Sequence, residues 1–393
     1  MDFNFNPEQL QFADALKRWI GRDYGFEARR AIIHSQAGVS DAAWATLAEL
    51  GMTALPVAEA HGGFSGSAVD MFVVMRELGR GLVVEPYFAT VLGAEFLRLG
   101  AQAGFAAAEL LERVAGGELK LACALGERQS RHDLFDIATR AQASGDGWTI
   151  SGEKKVVIHG FEAGALIVSA RAGGSEGGGQ REHGGVLLFV LPADTPGVTV
   201  TGYRTLDGQR AADIRFDGVQ LTRAQLLADE AAGADILDAT LDYGAALLCA
   251  EALGAMEALF EATLDYLKTR QQFGAPIGKF QALQHRMADM FVHLEQAHSM
   301  ALLAAVKMAA TDPVERRRAV SAAKYRVNQA ARFVGQQAVQ LHGGMGVTDE
   351  LPAAHYFKRL AAIELQLGDS DHHLARFIAQ PGFATGVVEA EAA

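Results

Sequence analysis

The sequence predicts an α+β multidomain chain. An N-terminal α-helical domain spans residues 1–118, a middle β domain 119–228 and a C-terminal four-helix bundle 229–393. Three observations predict it. Helical periodicity dominates both ends and is missing from the middle. Short β-rich runs between Gly, Asp and Pro turns fill the middle, which indicates an antiparallel barrel or sandwich. The last third repeats apolar residues at steps of three and four over long segments with short breaks, the pattern of an up-and-down bundle.

Asn6-Pro7-Glu8-Gln9 opens the first helix, with Asn6 as cap and Pro7 in the first turn. Leu10, Ala13, Leu16 and Ile20 follow at helical spacing. Trp44, Leu47 and Leu50 mark another helix, which stops at Gly51. The loop from Glu59 to Gly66 precedes a helix from about Ser67 to Leu78; His61, beside two glycines, reads as a loop residue. Strands are expected over 119–125, 135–141, 148–151, 155–158, 165–170, 186–191, 198–201 and 212–216, with a hairpin at Gly145-Asp146-Gly147. A glycine-rich stretch between Arg171 and Gly185 is followed by a strand. A phosphate-cradling loop needs a helix there, so a flexible hairpin tip is expected. The first bundle helix carries Leu237, Leu241, Ala245, Leu248, Ala252, Met256, Leu259, Thr263 and Leu267. The second runs from Phe280 through Ala301. The third starts at Asp312-Pro313, with Glu315 closing a box-like cap, and stops at Gly343-Gly344; a fourth begins near Pro352.

Half of the residues are hydrophobic and 21% charged, as in a soluble globular chain. The net charge of −12 argues against a nucleic-acid partner. Cys123 and Cys249 are too few for a disulfide framework, and no Cys/His spacing suggests a metal site. The start, MDFNFNPEQL, lacks a basic, then apolar, signal pattern. No membrane span and a cytoplasmic location are therefore expected.

Two stretches carry ligand chemistry. The segment 266–290, YLKTRQQFGAPIGKFQALQHRMADM, joins two long helices through a Gly and Pro break. Arg270 stands at the break, with Gln272 and Phe273 beside it. A guanidinium forks onto phosphate oxygens and stays charged, which suits a planar ligand bearing phosphate. The same Arg also suits a cap on the last helical carbonyls. The second stretch is Gln340-Leu341-His342-Gly343-Gly344. Paired glycines let a ligand approach the backbone, or simply end the helix.

These stretches, the domain order, the Glu59–Gly66 loop and the segment Met75–Arg80 resemble the acyl-CoA dehydrogenase family over nearly the whole chain. The resemblance implies the acyl-CoA dehydrogenase fold, FAD as cofactor, an acyl-CoA substrate and electron transfer flavoprotein as a partner. In that family the Arg-x-x-Phe-Gly and Gln-x-x-Gly-Gly segments hold the ADP half of an FAD bound mainly by the neighbouring subunit. Arg270, Gln272, Phe273, Gln340, Gly343 and Gly344 are thus the implied FAD half-site.

Other family positions differ. The Thr-Glu-x-x-x-Gly-Ser-Asp loop for substrate and flavin reads Leu125-Gly126-Glu127-Arg128-Gln129-Ser130-Arg131-His132. The Trp-Ile-Thr of the flavin face reads Val156-Val157-Ile158, and Ile158 cannot donate a hydrogen bond. The glutamate base stands at one of two family positions, which here are Leu367 and Gly244. Neither accepts a proton. Asp242, Glu364, Asp369 and Asp371 lie nearby in sequence. Glu364 is the leading substitute if the helix continues, because it then lies about 60° from Leu367. The Asp369-Ser370 pair reads as the cap of a helix N-terminus.

A chain that keeps the half-site it lends, but not its own flavin contacts and base, is similar to the small subunits of two-component acyl-CoA dehydrogenases of the pimeloyl-CoA type. The Gly-Asp-Ser-Asp-His-His-Leu segment ending at Leu374 carries the same resemblance. It implies FAD-dependent α,β-dehydrogenation of an acyl-CoA thioester by a hetero-oligomer whose partner subunit supplies the Glu. The alternatives are a homo-oligomeric flavin monooxygenase of the same fold, and a non-catalytic scaffold subunit.

Overall fold

The computed structural model describes residues 5–173 and 184–381. Helices α1 (Pro7–Asp23), α2 (Phe26–His34), α3 (Asp41–Glu49), α4 (Ala68–Gly81), α5 (Tyr87–Gln102) and α6 (Ala108–Ala115) come first. Asn6 and Gln9 form a reciprocal capping box on α1, and Ser67 and Asp70 do the same on α4. Gly63 folds under its own loop: a methyl group there would stand 2.0 Å from the Val57 carbonyl oxygen. Packing alone therefore accounts for that glycine.

The middle of the chain forms one sheet of β1 (Leu121–Ala124), β2 (Arg140–Ser144), β3 (Gly147–Ile158), β4 (Ala165–Ala172), β5 (Val186–Pro192), β6 (Val198–Arg204), β7 (Arg210–Leu221) and β8 (Leu226–Ala228). The order is β6-β7-β3-β2-β4-β5-β8, with β1 also against β4. Most pairs are antiparallel, and the hairpin at Gly145 joins β2 to β3 as expected. The purely antiparallel expectation is corrected at β4, which pairs in parallel with β1 and β2. Parallel neighbours need long crossovers, and short-range spacing does not reveal them. The two runs expected at 148–151 and 155–158 are one strand, β3, broken by bulges near Gly152 and Val157. Positions 174–183 of the glycine-rich stretch lie outside the described residues, and antiparallel β4 and β5 flank them.

Helix α7 (Gly233–Thr269) is the axis of the molecule. It has 37 residues and is buried almost without interruption from Asp242 to Met256. The two-residue strands β9 (Gln271–Gln272) and β10 (Ala275–Pro276) form the turn after it. Then come α8 (Gln281–Lys307), α9 (Pro313–His342), α10 (Pro352–Leu365) and α11 (Ser370–Ile378). Asp312 caps α9, but Glu315 reaches Lys307 of α8 rather than closing the expected box. The bundle has a fifth helix: α10 ends where Gln366 turns extended, Leu367 and Gly368 then take positive φ (53° and 107°), and Asp369 caps α11.

Glycines weld α4 to α7. A methyl group at Gly79 would lie 2.1 Å from the Glu251 carbonyl oxygen, and one at Gly254 only 1.8 Å from that of Arg76. Arg359 of α10 joins bundle to sheet, holding Glu251 at 2.6 Å and Asp207, before β7, at 2.8 Å, all three buried. By length and composition α7 alone among the described helices is long and apolar enough to cross a membrane. Yet 83% of its apolar window is buried inside the protein, so its apolarity serves the core.

Candidate functional site

Two turns meet at one end of the bundle. At the first, the Arg270 N–H closes α7 on the Tyr266 carbonyl (2.8 Å), and the Ile277 N–H returns to the Arg270 carbonyl (2.9 Å). Phe273 and Gly274 at the tip both have positive φ (54° and 75°). For phenylalanine that conformation is strained. Its ring is 90% exposed, touching only the edge of Phe280 at 6.0 Å among aromatic rings. The Arg270 guanidinium makes no hydrogen bond or ion pair among the described residues, so it does not cap the helix carbonyls. Gln272 is exposed beside it.

At the second turn, Gly343 ends α9 with φ 61° and donates its N–H to the Gln340 carbonyl. Gly346 is needed for packing, since a methyl group there would stand 2.5 Å from the Val339 carbonyl oxygen. Gly344 is different. Its backbone is not left-handed, and a methyl group would meet nothing within 4 Å. Nothing within the chain requires glycine at that position. Gln340, Gly343 and Gly344 are all exposed. The Tyr266 ring stacks on His342 at 4.5 Å, so the structure brings the two turns together.

The two base positions also converge, in the interior. A methyl group on Gly244 of α7 would lie 2.6 Å from Leu367 Cδ1, 2.8 Å from Leu92 Cδ1 and 3.6 Å from Phe88 Cζ. An apolar junction therefore fills both places at once. The helical-spacing argument for Glu364 does not apply, because α10 ends before Leu367. The Glu364 carboxylate is instead bound by Arg332 of α9. Asp242 is buried and held by Arg316 and Arg376. Asp369 caps α11 and lies 3.1 Å from His132 Nε2. His373 went unnoticed as anything but part of a helix start. Its Nε2 donates to the Leu367 carbonyl at 2.8 Å. Burial, with Lys324 nearby, pushes its pKa well below the ordinary imidazole value, so it stays a neutral donor.

The loop before β2 is anchored from within. Lys154 Nζ reaches Glu127 at 2.7 Å, Ser169 Oγ at 3.0 Å and the Leu125 carbonyl at 3.1 Å. Glu127 also accepts from the Ala138 and Thr139 N–H groups. Burial alone would raise the Glu127 carboxyl, but the Lys154 ammonium and these hydrogen bonds outweigh it and bring it down to about 2. Val156 on β3 and His159 just after it have positive φ (53° and 56°), which for the β-branched Val156 is a true outlier. Ile158 faces Tyr87, Phe88 and His159 around a cavity of about 20 Å³, room for one water.

A helical domain, a β domain and a helical bundle thus follow one another, with an exposed Arg–Phe turn beside a Gly–Gly turn at the bundle end. Residues 6–118, 122–219 and 231–380 match the N-terminal, middle and C-terminal domains of acyl-CoA dehydrogenase. The chain is 30% identical to the mitochondrial short-chain specific acyl-CoA dehydrogenase of Bos taurus, over 83% of this chain and 78% of that one. Among solved structures it superposes on a variant of the Tcur3481–Tcur3483 steroid ACAD with TM-score 0.84 and 28% identity, covering 94% of this chain and 96% of that one. It superposes on the ChsE4–ChsE5 complex from Mycobacterium tuberculosis with TM-score 0.84 and 25% identity, covering 96% and 97%. The chain belongs to the acyl-CoA dehydrogenase family.

FAD is the cofactor of that family. The bundle-end turns fit it: a free guanidinium for a diphosphate, an exposed ring, and a glycine that packing does not require. The 20 Å³ cavity beside Ile158 does not admit a ring system.

Proposed function

We propose that this chain is one subunit of a heteromeric acyl-CoA dehydrogenase, acting in the α,β-dehydrogenation of an acyl-CoA thioester. The observation that carries this reading is the apolar junction of Gly244 and Leu367, with Phe88 and Leu92 against it. A proton cannot be taken from a substrate carbon by those side chains. The neighbouring subunit supplies the glutamate, and electron transfer flavoprotein takes the electrons onward. Bound FAD would supply the hydride acceptor for this reaction, and the partner's carboxylate the acceptor for the α proton.

This chain's own residues have a narrower task. Arg270 holds the diphosphate of the neighbour's FAD, Phe273 covers its apolar edge, and Gly343-Gly344 lets the nucleotide approach the backbone. Gln272 and Gln340 donate hydrogen bonds from the rim. Two similar structures whose names each give two components, one of them a steroid ACAD, support a hetero-oligomer.

The test is flavin content. The chain purified alone is expected to carry little FAD, and the complex with its partner about one FAD per pair of chains. One FAD per chain in the isolated protein would return the reading to a homo-oligomer. A complex whose flavin content and turnover ignore Arg270→Ala would leave a scaffold.

A further inference from the structure

Arg270 and Gly344 stand just past the ends of different helices, α7 and α9, so a ligand gripped by both needs their separation fixed. The stack of Tyr266 on His342 is placed to fix it. Tyr266 sits on the last turn of α7, one helical turn before Arg270. His342 is the last residue of α9, directly before Gly343-Gly344. The rings are 4.5 Å apart and 29° from parallel. The Tyr266 hydroxyl donates to the His342 carbonyl at 3.4 Å, the peptide that leads into Gly343. His342 is buried, and its Nδ1–H donates to the Ala338 carbonyl at 2.8 Å, so the ring cannot swing away. Burial lowers its pKa and keeps it neutral, as a stacked ring held by one N–H requires. Gly278 packs within 2.9 Å of the Leu267 carbonyl, as measured from the position of an added methyl, and fixes the return of the Arg270 turn. Each turn is thus closed by its own backbone hydrogen bonds, and an aromatic stack with a hydroxyl bond bridges them.

We infer that Tyr266 and His342 are positioning residues for the nucleotide clamp: they touch no cofactor, but set the spacing at which Arg270 and Gly343-Gly344 grip one diphosphate. This rests on the half-site reading above.

The experiment titrates FAD into the apo form of the FAD-binding oligomer that contains the full chain, and compares four variants. His342→Ala removes the stack. His342→Phe keeps a ring but not the Nδ1–H. Tyr266→Leu removes the other ring, which keeps the test open if His342→Ala does not fold. Arg270→Ala tests the half-site itself. Loss of one aromatic pair is expected to raise the FAD dissociation constant roughly three- to tenfold in His342→Ala and Tyr266→Leu. His342→Phe should restore most of it, well below the melting temperature of every variant. A merely structural histidine would lower thermal stability and leave FAD affinity alone. If Arg270→Ala weakens FAD while His342→Ala and Tyr266→Leu do not, the inference falls and the half-site stands. Equal loss in His342→Phe and His342→Ala also overturns the stack. If Arg270→Ala changes nothing, the half-site reading falls and takes the inference with it.

Discussion

Two regions on one helix went opposite ways. At the Arg270 end of α7 the side chains face water: a guanidinium with no hydrogen bond or ion pair among the described residues, and a phenylalanine 90% exposed in strained backbone, with Gly344, a glycine without a packing reason, beside them past the end of α9. At Gly244 the same helix is sealed against Leu367, Leu92 and Phe88 with no space for a further atom. The sealed region is explained by its own contacts and the open one is not. Residues that a chain keeps without internal reason point outward, to a ligand or a second subunit. Residues that only fill space are accounted for by the core.

Substitutions should therefore separate into two kinds: those at the sealed region alter stability, and those at the open end alter FAD binding. The largest effect is expected for Lys154→Met, which leaves buried Glu127 without its cation. It should cost roughly 3–5 kcal/mol in denaturant unfolding. The same pair sets an acid window. The Glu127 carboxyl is depressed from 4.5 to about 2, so its contribution is complete above about pH 4.5 and is lost as pH falls toward 2. Lys154→Met should flatten that loss. Gly244→Glu comes next. It forces a carboxylate into an apolar junction and should cost roughly 2–4 kcal/mol without producing dehydrogenation by the isolated chain. Measurable turnover of an acyl-CoA by this variant alone would break the comparison.

At the open end, Arg270→Ala should weaken FAD in the complex by about 1.5–3 kcal/mol, from loss of a charge-assisted contact. Its unfolding free energy should stay within about 0.5 kcal/mol. The smallest effect is expected for Gly344→Ala. The chain has room for the methyl, so its melting temperature should not move, while FAD weakens by about 1 kcal/mol or more as the backbone approach is blocked. A stability loss without an FAD loss would place Gly344 among the packing glycines, with Gly346.

Much of this was legible in the sequence. Long helical periodicity marked α7, α8 and α9, and the capping residues Asn6, Asp312 and Asp369 all cap. Local patterns carry such features because they are set by residues three or four apart. What needed the third dimension was contact between distant segments. The meeting of Gly244 with Leu367 has no spacing signal. Nor has the burial of Lys154 on Glu127, which makes that loop an anchored wall. The parallel pairing of β4 was hidden for the same reason. The Asp369 cap signals a new helix, but where α10 ends before it is not legible, because leucine rarely adopts the left-handed backbone found at Leu367. His373, which holds the Leu367 carbonyl, looked like one more residue of a helix start.

Helix α7 is a ruler as well as an axis. Gly244 and Arg270 lie about 39 Å apart along it, on a continuous rod glued to α4 through Gly79 and Gly254. A rod so held passes little strain from one end to the other. Substitutions at the sealed end should therefore leave the Arg270 turn at the far end undisturbed. One helix thus carries two environments that can change independently, a packed seam at one end and an exposed turn at the other.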